Sequence, residues 1–250
     1  MLALNPDQQR PRERLTATVF DAICQAILKG RLPVGRELPS ESALAAEFGV
    51  SKTVIREALQ KLAALDIIEI RQGRPSVVKR MSARPLELFL AFALHEREGG
   101  LLEAIQLRRA IETFIAMRAA TEMKMADLHE LKRGLARLRD SAGEAAAFVE
   151  ADLAFHMTLA ESIDNRFLVY LMQGLQSTIR ETIEELHGRG MSPDLSATVE
   201  RHARIVRAIE AGDPEAARLA MEAHFDASEA KTQTSGVADG RGRRARSGAA

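Results

Sequence analysis

Four side chains in the C-terminal half have the types and spacing of a metal centre. Asp152 and His156 lie four residues apart in a strongly helical stretch, so both project from one helix face. His202 and His224 flank a short Gly212-Asp213-Pro214 turn, each 11 residues from Asp213. At 1.5 Å rise per residue both stand about 16 Å from that turn, level across an antiparallel helical hairpin. Two level imidazoles on neighbouring helices and a histidine–carboxylate pair on a third are the arithmetic of a bundle-core metal site. Three imidazoles and one carboxylate suit Zn²⁺, Ni²⁺ or Mn²⁺, with zinc favoured, better than Ca²⁺; without thiolate, Cu(I) is a poor fit. Taken singly, each histidine reads as an ordinary surface or core residue, as His95, His129 and His187 do. Geometry alone leaves the two readings level.

A second constellation lies near the N-terminus. Ser40 and Ser51 are placed to cap two short helices separated by a Gly49-Val50 turn, the spacing of a helix-turn-helix. In the second helix Ile55, Ala58, Leu59 and Leu62 follow one face, which must be core. Thr53, Arg56 and Gln60 occupy the opposite face, with Lys52 in the first turn. Such donors suit a recognition helix: Arg56 for a guanine edge, Lys52 for phosphate. Glu57 speaks against this, since it repels phosphate unless an arginine pairs with it. Two β-branched runs, 67–71 and 76–79, then flank a hairpin turn at Gln72-Gly73-Arg74-Pro75. Arg71 and Arg74 at its tip suit DNA backbone or minor groove.

These pieces define the organisation of the 250 residues. Residues 1–13 are polar and predicted to lack fixed structure; 14–80 form a winged helix-turn-helix. An all-helical antiparallel bundle follows over 81–230, with helices near 86–95, 100–122, 126–140, 144–162, 165–186, 195–211 and 214–230. The Gly/Ser/Arg-rich segment 231–250 reads as disordered. The fold class is therefore mainly α. A net charge of zero hides an asymmetry: +4 over residues 1–80, −8 over 81–230 and +4 over 231–250. A basic segment joined to an acidic one implies different partners, with nucleic acid first for the basic one. The single Cys24 excludes an internal disulfide and fits a reducing cytoplasm. The longest apolar run, Leu88 to Leu94, is far short of a membrane span, and no secretory signal is expected.

Gly30-Arg31-Leu32-Pro33-Val34-Gly35, Leu38-Pro39-Ser40-Glu41, Phe48-Gly49-Val50-Ser51 and Arg56-Glu57-Ala58-Leu59 resemble, in that order, the winged helix of GntR-type bacterial transcriptional regulators. The resemblance implies DNA contacts at Lys52, Thr53, Arg56, Gln72 and Gly73. Two positions depart from the family. Asp66 stands where glycine is usual, though Asp tolerates left-handed geometry; Ser42 stands where some members carry a DNA-contacting arginine. Farther on, Phe148…Asp152-x-x-Phe155-His156, Asn165, His202…Ala208-Ile209…Gly212-Asp213 and His224 resemble the all-helical FCD ligand-binding domain of the FadR-like branch. That domain implies the Asp152, His156, His202 and His224 metal set. Arg108-x-x-Ile111-Glu112 matches the helix whose arginine faces carboxylate effectors, making Arg108 and Asn165 the effector residues.

The reading is a cytoplasmic, homodimeric DNA-binding regulator, foremost a repressor, that binds a short pseudo-palindromic operator and senses a small organic acid. One recognition helix reads too few base pairs, so two-fold pairing is expected. A divalent ion with Asp152 carries +1, and Arg108 raises this to +2 in a dry interior, which favours an anion. The rival is a metal-dependent hydrolase or lyase using the same centre to activate water. It lacks a nucleophile motif and leaves the winged helix unexplained. A ligand-free DNA-architectural protein is the third class.

Overall fold

The computed structural model describes residues 6–96, 99–180 and 195–244, with side chains over 11–96, 99–144, 146–180 and 195–230. Two compact units divide at Pro85 and Leu86.

The N-terminal unit contains α1 (Pro6–Leu28), α2 (Glu41–Phe48), α3 (Lys52–Ala64), β1 (Ile68–Glu69) and β2 (Val77–Val78). Ser40 Oγ accepts from Ala43 N at 3.2 Å and Ser51 Oγ from Val54 N at 3.4 Å, so both predicted caps satisfy first-turn donors. Gly49 ends α2 in the left-handed region at φ 64°, sending the chain directly into α3. The inner face of α3 (Val54, Ile55, Ala58, Leu59 and Leu62) is buried against Val19, Ile23, Leu38 and Ile68. Only two residues of each predicted wing strand pair, Ile68 with Val78 and Glu69 with Val77, and an isolated bridge joins Glu37 to Val77. Asp66 has φ 58°, the left-handed geometry that its glycine-like position requires. Lys79 and Ser82 bind its carboxylate.

Two sequence boundaries are corrected. Helix α1 starts at Pro6, well before Arg14, so 1–13 is not a uniformly unstructured tail. Proline suits the first helical position, where the missing N–H has no intrahelical acceptor. The last helix likewise runs through Arg244, past the disorder predicted from 231. Once a packed helix exists, each added residue gains a hydrogen bond without a new nucleation cost.

The C-terminal unit holds α4 (Arg84–His95), α5 (Gly100–Glu122), α6 (Met125–Asp140), α7 (Ala145–Glu161), α8 (Arg166–Gly174), α9 (Leu195–Glu210) and α10 (Pro214–Arg244). Helix 165–186 was expected to be continuous. It breaks at Leu175, becomes helical again over 176–180, and its last residues, with His187 and the Gly188–Gly190 break, lie outside the described residues. At Gly174 a Cβ would lie 2.7 Å from Leu86 Cγ, so glycine there permits close approach of α4 and α8. Helix α10 packs along α5 and α9, while α7 packs on α5, α6 and α8. Gly212 at φ 68° and Asp213, whose Oδ1 accepts from Ala216 N at 2.9 Å, close the α9–α10 hairpin. No described helix is long and apolar enough to cross a membrane.

Gly49→Ala tests the helix-turn-helix. A Cβ there meets nothing within 4 Å, so only the left-handed backbone opposes it. A loss of about 1–2 kcal/mol in denaturant unfolding is expected, with no such loss for the exposed Ala64→Gly beyond about 1 kcal/mol of helix propensity.

Candidate metal and nucleic-acid sites

Four helices carry one buried polar cluster. Asp152 and His156 come from α7, His202 from α9, His224 from α10, and Arg108 with Glu112 from α5. Each is at most 6% exposed. Arg108, Glu112 and Asp152 are the only buried Asp, Glu, Lys or Arg among the described residues, and all three belong to this cluster. The rings of His202 and His224 are 4.6 Å apart, as two residues equidistant from one tight turn require. One nitrogen from each of His156, His202 and His224 lies within 4.8 Å of the others. His202 Nε2 is 3.3 Å from His156 Nε2 and 3.0 Å from Asp152 Oδ1; His156 Nε2 is 3.7 Å from Asp152 Oδ2.

The far side of each ring selects its tautomer. His202 Nδ1 lies 2.8 Å from the Thr198 carbonyl, which accepts its proton and leaves Nε2 as the free lone pair. His156 Nδ1 faces Glu112, which likewise directs Nε2 inward. His224 Nδ1 is buried without a hydrogen-bond partner, an orphan that a cation would satisfy. Burial, then the neighbouring His202 and His156, hold His224 well below the usual imidazole range. Burial pushes Asp152 upward, but the three surrounding imidazoles, His156 first, outweigh it and hold its carboxyl below the usual range. A neutral imidazole beside an ionised carboxylate is the protonation state that metal ligands need. The donor set thus fits a first-row divalent ion.

Glu112 was quoted in the sequence motif without a role, and the structure supplies one. Its Oε1 accepts from Arg108 Nε at 2.8 Å while Oε2 faces His156. Burial works against its ionisation, and Arg108 followed by His156 overcomes that, holding its carboxyl below the usual range. The i, i+4 spacing from Arg108 was the available signal. The expected charge of +2 around a bound ion is thereby reduced to +1. Arg108 also lies over Phe225, 5.2 Å from the ring centroid, and its Nη2 is buried without a partner. Arg109 instead pairs with Asp226 at 2.7 Å and Glu229 at 3.1 Å near the surface. Asn165 does not join the cluster. It is exposed, and its Oδ1 caps α8 through Phe167 N at 3.1 Å and Leu168 N at 3.3 Å. That placement follows the Asx preference for helix starts.

In the N-terminal unit Lys52, Thr53, Arg56 and Gln60 form the exposed face of α3. Gln72, Gly73 and Arg74 are exposed at the wing tip, where Gly73 has φ 68° and Arg74 N donates to Arg71 O at 3.4 Å. Arg56 Nε donates to Glu41 at 2.8 Å, an exposed pair that is weak enough to exchange for a base or phosphate. The objection raised by Glu57 is met. Arg12 of α1 grips its carboxylate and the buried Thr16 hydroxyl donates to it at 3.1 Å. The Arg12 hydrogen bond holds Glu57 below the usual carboxylate range. Arg12 thus cancels the negative charge on the recognition face.

Comparison with known proteins agrees with both units. Residues 15–78 match the model of the bacterial regulatory proteins of the gntR family, and residues 103–227 match the FCD domain. The HTH-type transcriptional regulator LutR of Bacillus subtilis (strain 168) is 30% identical over 80% of this chain and 92% of its own. The probable D-xylose utilization operon transcriptional repressor of Paenarthrobacter nicotinovorans is 30% identical over 86% of this chain and 88% of its own. A solved Streptococcus agalactiae GntR structure shares the fold, with TM-score 0.63, 24% identity, and coverage of 86% of this chain and 98% of that one. The helix-turn-helix with its wing, joined to the FCD bundle, makes this chain a member of the GntR family, a DNA-binding transcriptional regulator and not an enzyme.

Proposed function

We propose that the chain is a homodimeric repressor whose grip on a short pseudo-palindromic operator is controlled by a small organic acid at a divalent-metal site. Asp152, His156, His202 and His224 are the proposed ligands, with zinc favoured over nickel or manganese. Arg108 is the proposed anchor for the acid's carboxylate. The observation that carries this reading is the convergence of three imidazoles and an ionised carboxylate, each backed or buried, beside an arginine whose Nη2 has no partner. A bound ion supplies Lewis acidity and an open coordination position for a carboxylate oxygen. The chain's own residues orient it. Glu112 and the Thr198 carbonyl fix two imidazoles, and Phe225 holds the guanidinium plane.

On the DNA side, Lys52 and Thr53 are proposed for phosphate and base contacts at the start of α3, and Arg56 for a guanine edge. Gln72, Gly73 and Arg74 of the wing are proposed to meet the backbone or minor groove. Two copies are needed because one such helix reads only a few base pairs. The acid acts by preferring one arrangement of the helical unit, and so one spacing of two winged helices. The name of the Paenarthrobacter relative supports the repressor sense. A reducing cytoplasm, as Cys24 suggested, is the proposed site of action.

Three measurements test these parts. Purified without chelator or affinity histidines, the protein should contain about one divalent ion per chain by elemental analysis. His202→Ala and His224→Ala should each lower that content and the melting temperature together; full occupancy in the double variant overturns the site. For the acid, Arg108→Ala is a poor probe, because it strands buried Glu112 at a cost of about 3–5 kcal/mol. Arg108→Lys keeps the neutralising charge but loses the fork, so operator release should need about 10- to 100-fold more acid. Arg109→Ala should respond like the parent protein. On DNA, Arg56→Ala should lose about 1–3 kcal/mol of discrimination at one base pair per half-site in a binding titration. Lys52→Ala should weaken all sequences alike and flatten the salt dependence by about one phosphate.

A further inference from the structure

The charged side chains buried around the histidine cluster are few. Among the described residues only Arg108, Glu112 and Asp152 are buried Asp, Glu, Lys or Arg side chains, and each lies against the histidine cluster. Glu112 touches both halves of the site. Oε1 accepts from Arg108 Nε at 2.8 Å and Oε2 lies against His156 Nδ1, so both oxygens are turned toward groups of the site. Engaging Nε leaves the guanidinium's outer edge, and there Nη2 is buried without a partner. An imidazole that lends its lone pair to an ion adds no charge. A divalent ion, two carboxylates and one guanidinium therefore leave the set with a single net positive charge.

We propose that the site selects singly charged carboxylates over doubly charged ones, and that Glu112 sets this limit. The proposal rests on the carboxylate-effector reading above and narrows it to a class. One carboxylate neutralises the set: an oxygen can take an open metal position while the group meets the outer edge of Arg108. A second carboxylate arrives where the guanidinium of Arg108 already has a counter-ion. It would remain an uncompensated charge in an interior where the surrounding groups are at most 6% exposed. Neutral hydroxyls on the acid carry no such penalty. The chemical class is thus a monocarboxylate, with or without hydroxyl groups. Glu112 acts here as a positioning residue through its charge, touching Arg108 and His156 and not the acid.

The experiment uses the zinc-loaded full chain and acids matched in size but differing in charge: lactate against malate, gluconate against glucarate, benzoate against phthalate. Affinity is read by calorimetry at neutral pH, with zinc content measured in parallel. For whichever pair binds, the monocarboxylate should bind on the order of a hundredfold more tightly, the scale of one unpaired buried charge. Glu112→Gln raises the net charge by one and should narrow or reverse that ratio. Glu112→Asp keeps the charge and should keep the preference even if both affinities fall. A merely structural Glu112 would lower both affinities and leave the ratio unchanged in Glu112→Gln, which overturns its role. Dicarboxylates binding the parent protein as tightly as their partners overturn the charge limit itself. If Glu112→Gln no longer holds zinc, the ratios in the parent protein and Glu112→Asp decide. Should no acid of either charge bind, the carboxylate-effector reading fails first and this limit falls with it.

Discussion

Among its described residues the helical unit buries three formal charges, Arg108, Glu112 and Asp152, with three imidazoles between and beside them. Removing one such charge from water costs several kcal/mol even after relaxation, so each must find a partner whose geometry repays that cost. Arg108 and Glu112 find each other one turn apart on α5. Asp152 finds His202 from α9 and His156 from its own helix. Helices α5, α7 and α9 are thus tied to one another by polar contacts whose loss would strand a buried charge, and α10 lays Phe225 under Arg108. Phe155 and Phe225, both almost wholly buried, pack edge-on against the imidazoles and keep water away. A dry wall raises the strength of every interaction inside it and the cost of any that is unmet.

That economy explains why the arginine and the histidines form one site. Glu112 is shared: it neutralises Arg108 and fixes the His156 tautomer with the same carboxylate. A ligand that meets Arg108 and an ion held by His156 are then linked through one intervening group. Linkage of this kind is reciprocal, so whatever strengthens one partner's binding strengthens the other's equally. In the proposed regulation, the acid's influence on DNA binding is bounded by its differential affinity for the arrangements of these helices.

The winged helix solves a different electrostatic problem, at the surface. Glu57 stands beside Arg56 on a face meant for a polyanion, and a bare carboxylate there would oppose binding. Arg12 and Thr16 of α1 engage it. Arg12 lies outside residues 15–78, the stretch that matches the family's winged helix, so the neutralising cation comes from the helical extension toward the N-terminus. At Asp66 a similar economy operates. A left-handed residue that is ordinarily glycine is tolerated because its short side chain has local partners in Lys79 and Ser82.

Much of this was legible in the amino-acid order because it depends on local, periodic rules. Apolar spacing along α3, serine caps at 40 and 51, glycine at 49 and the equal 11-residue arms around Asp213 each follow from helix geometry, which the chain specifies residue by residue. Contacts between distant segments are not encoded that way. The family resemblance offered Asn165 as an effector residue, and only the fold shows its side-chain oxygen capping the start of α8. The sequence left Glu57 as an objection, and only the docking of α1 on α3, 45 residues away, brought Arg12 to answer it. It counted +2 around the metal set, because nothing in the spacing of Arg108 and Glu112 tells a surface ion pair from a buried one. Burial is a property of what four helices place around a side chain, and that was decided by tertiary packing alone.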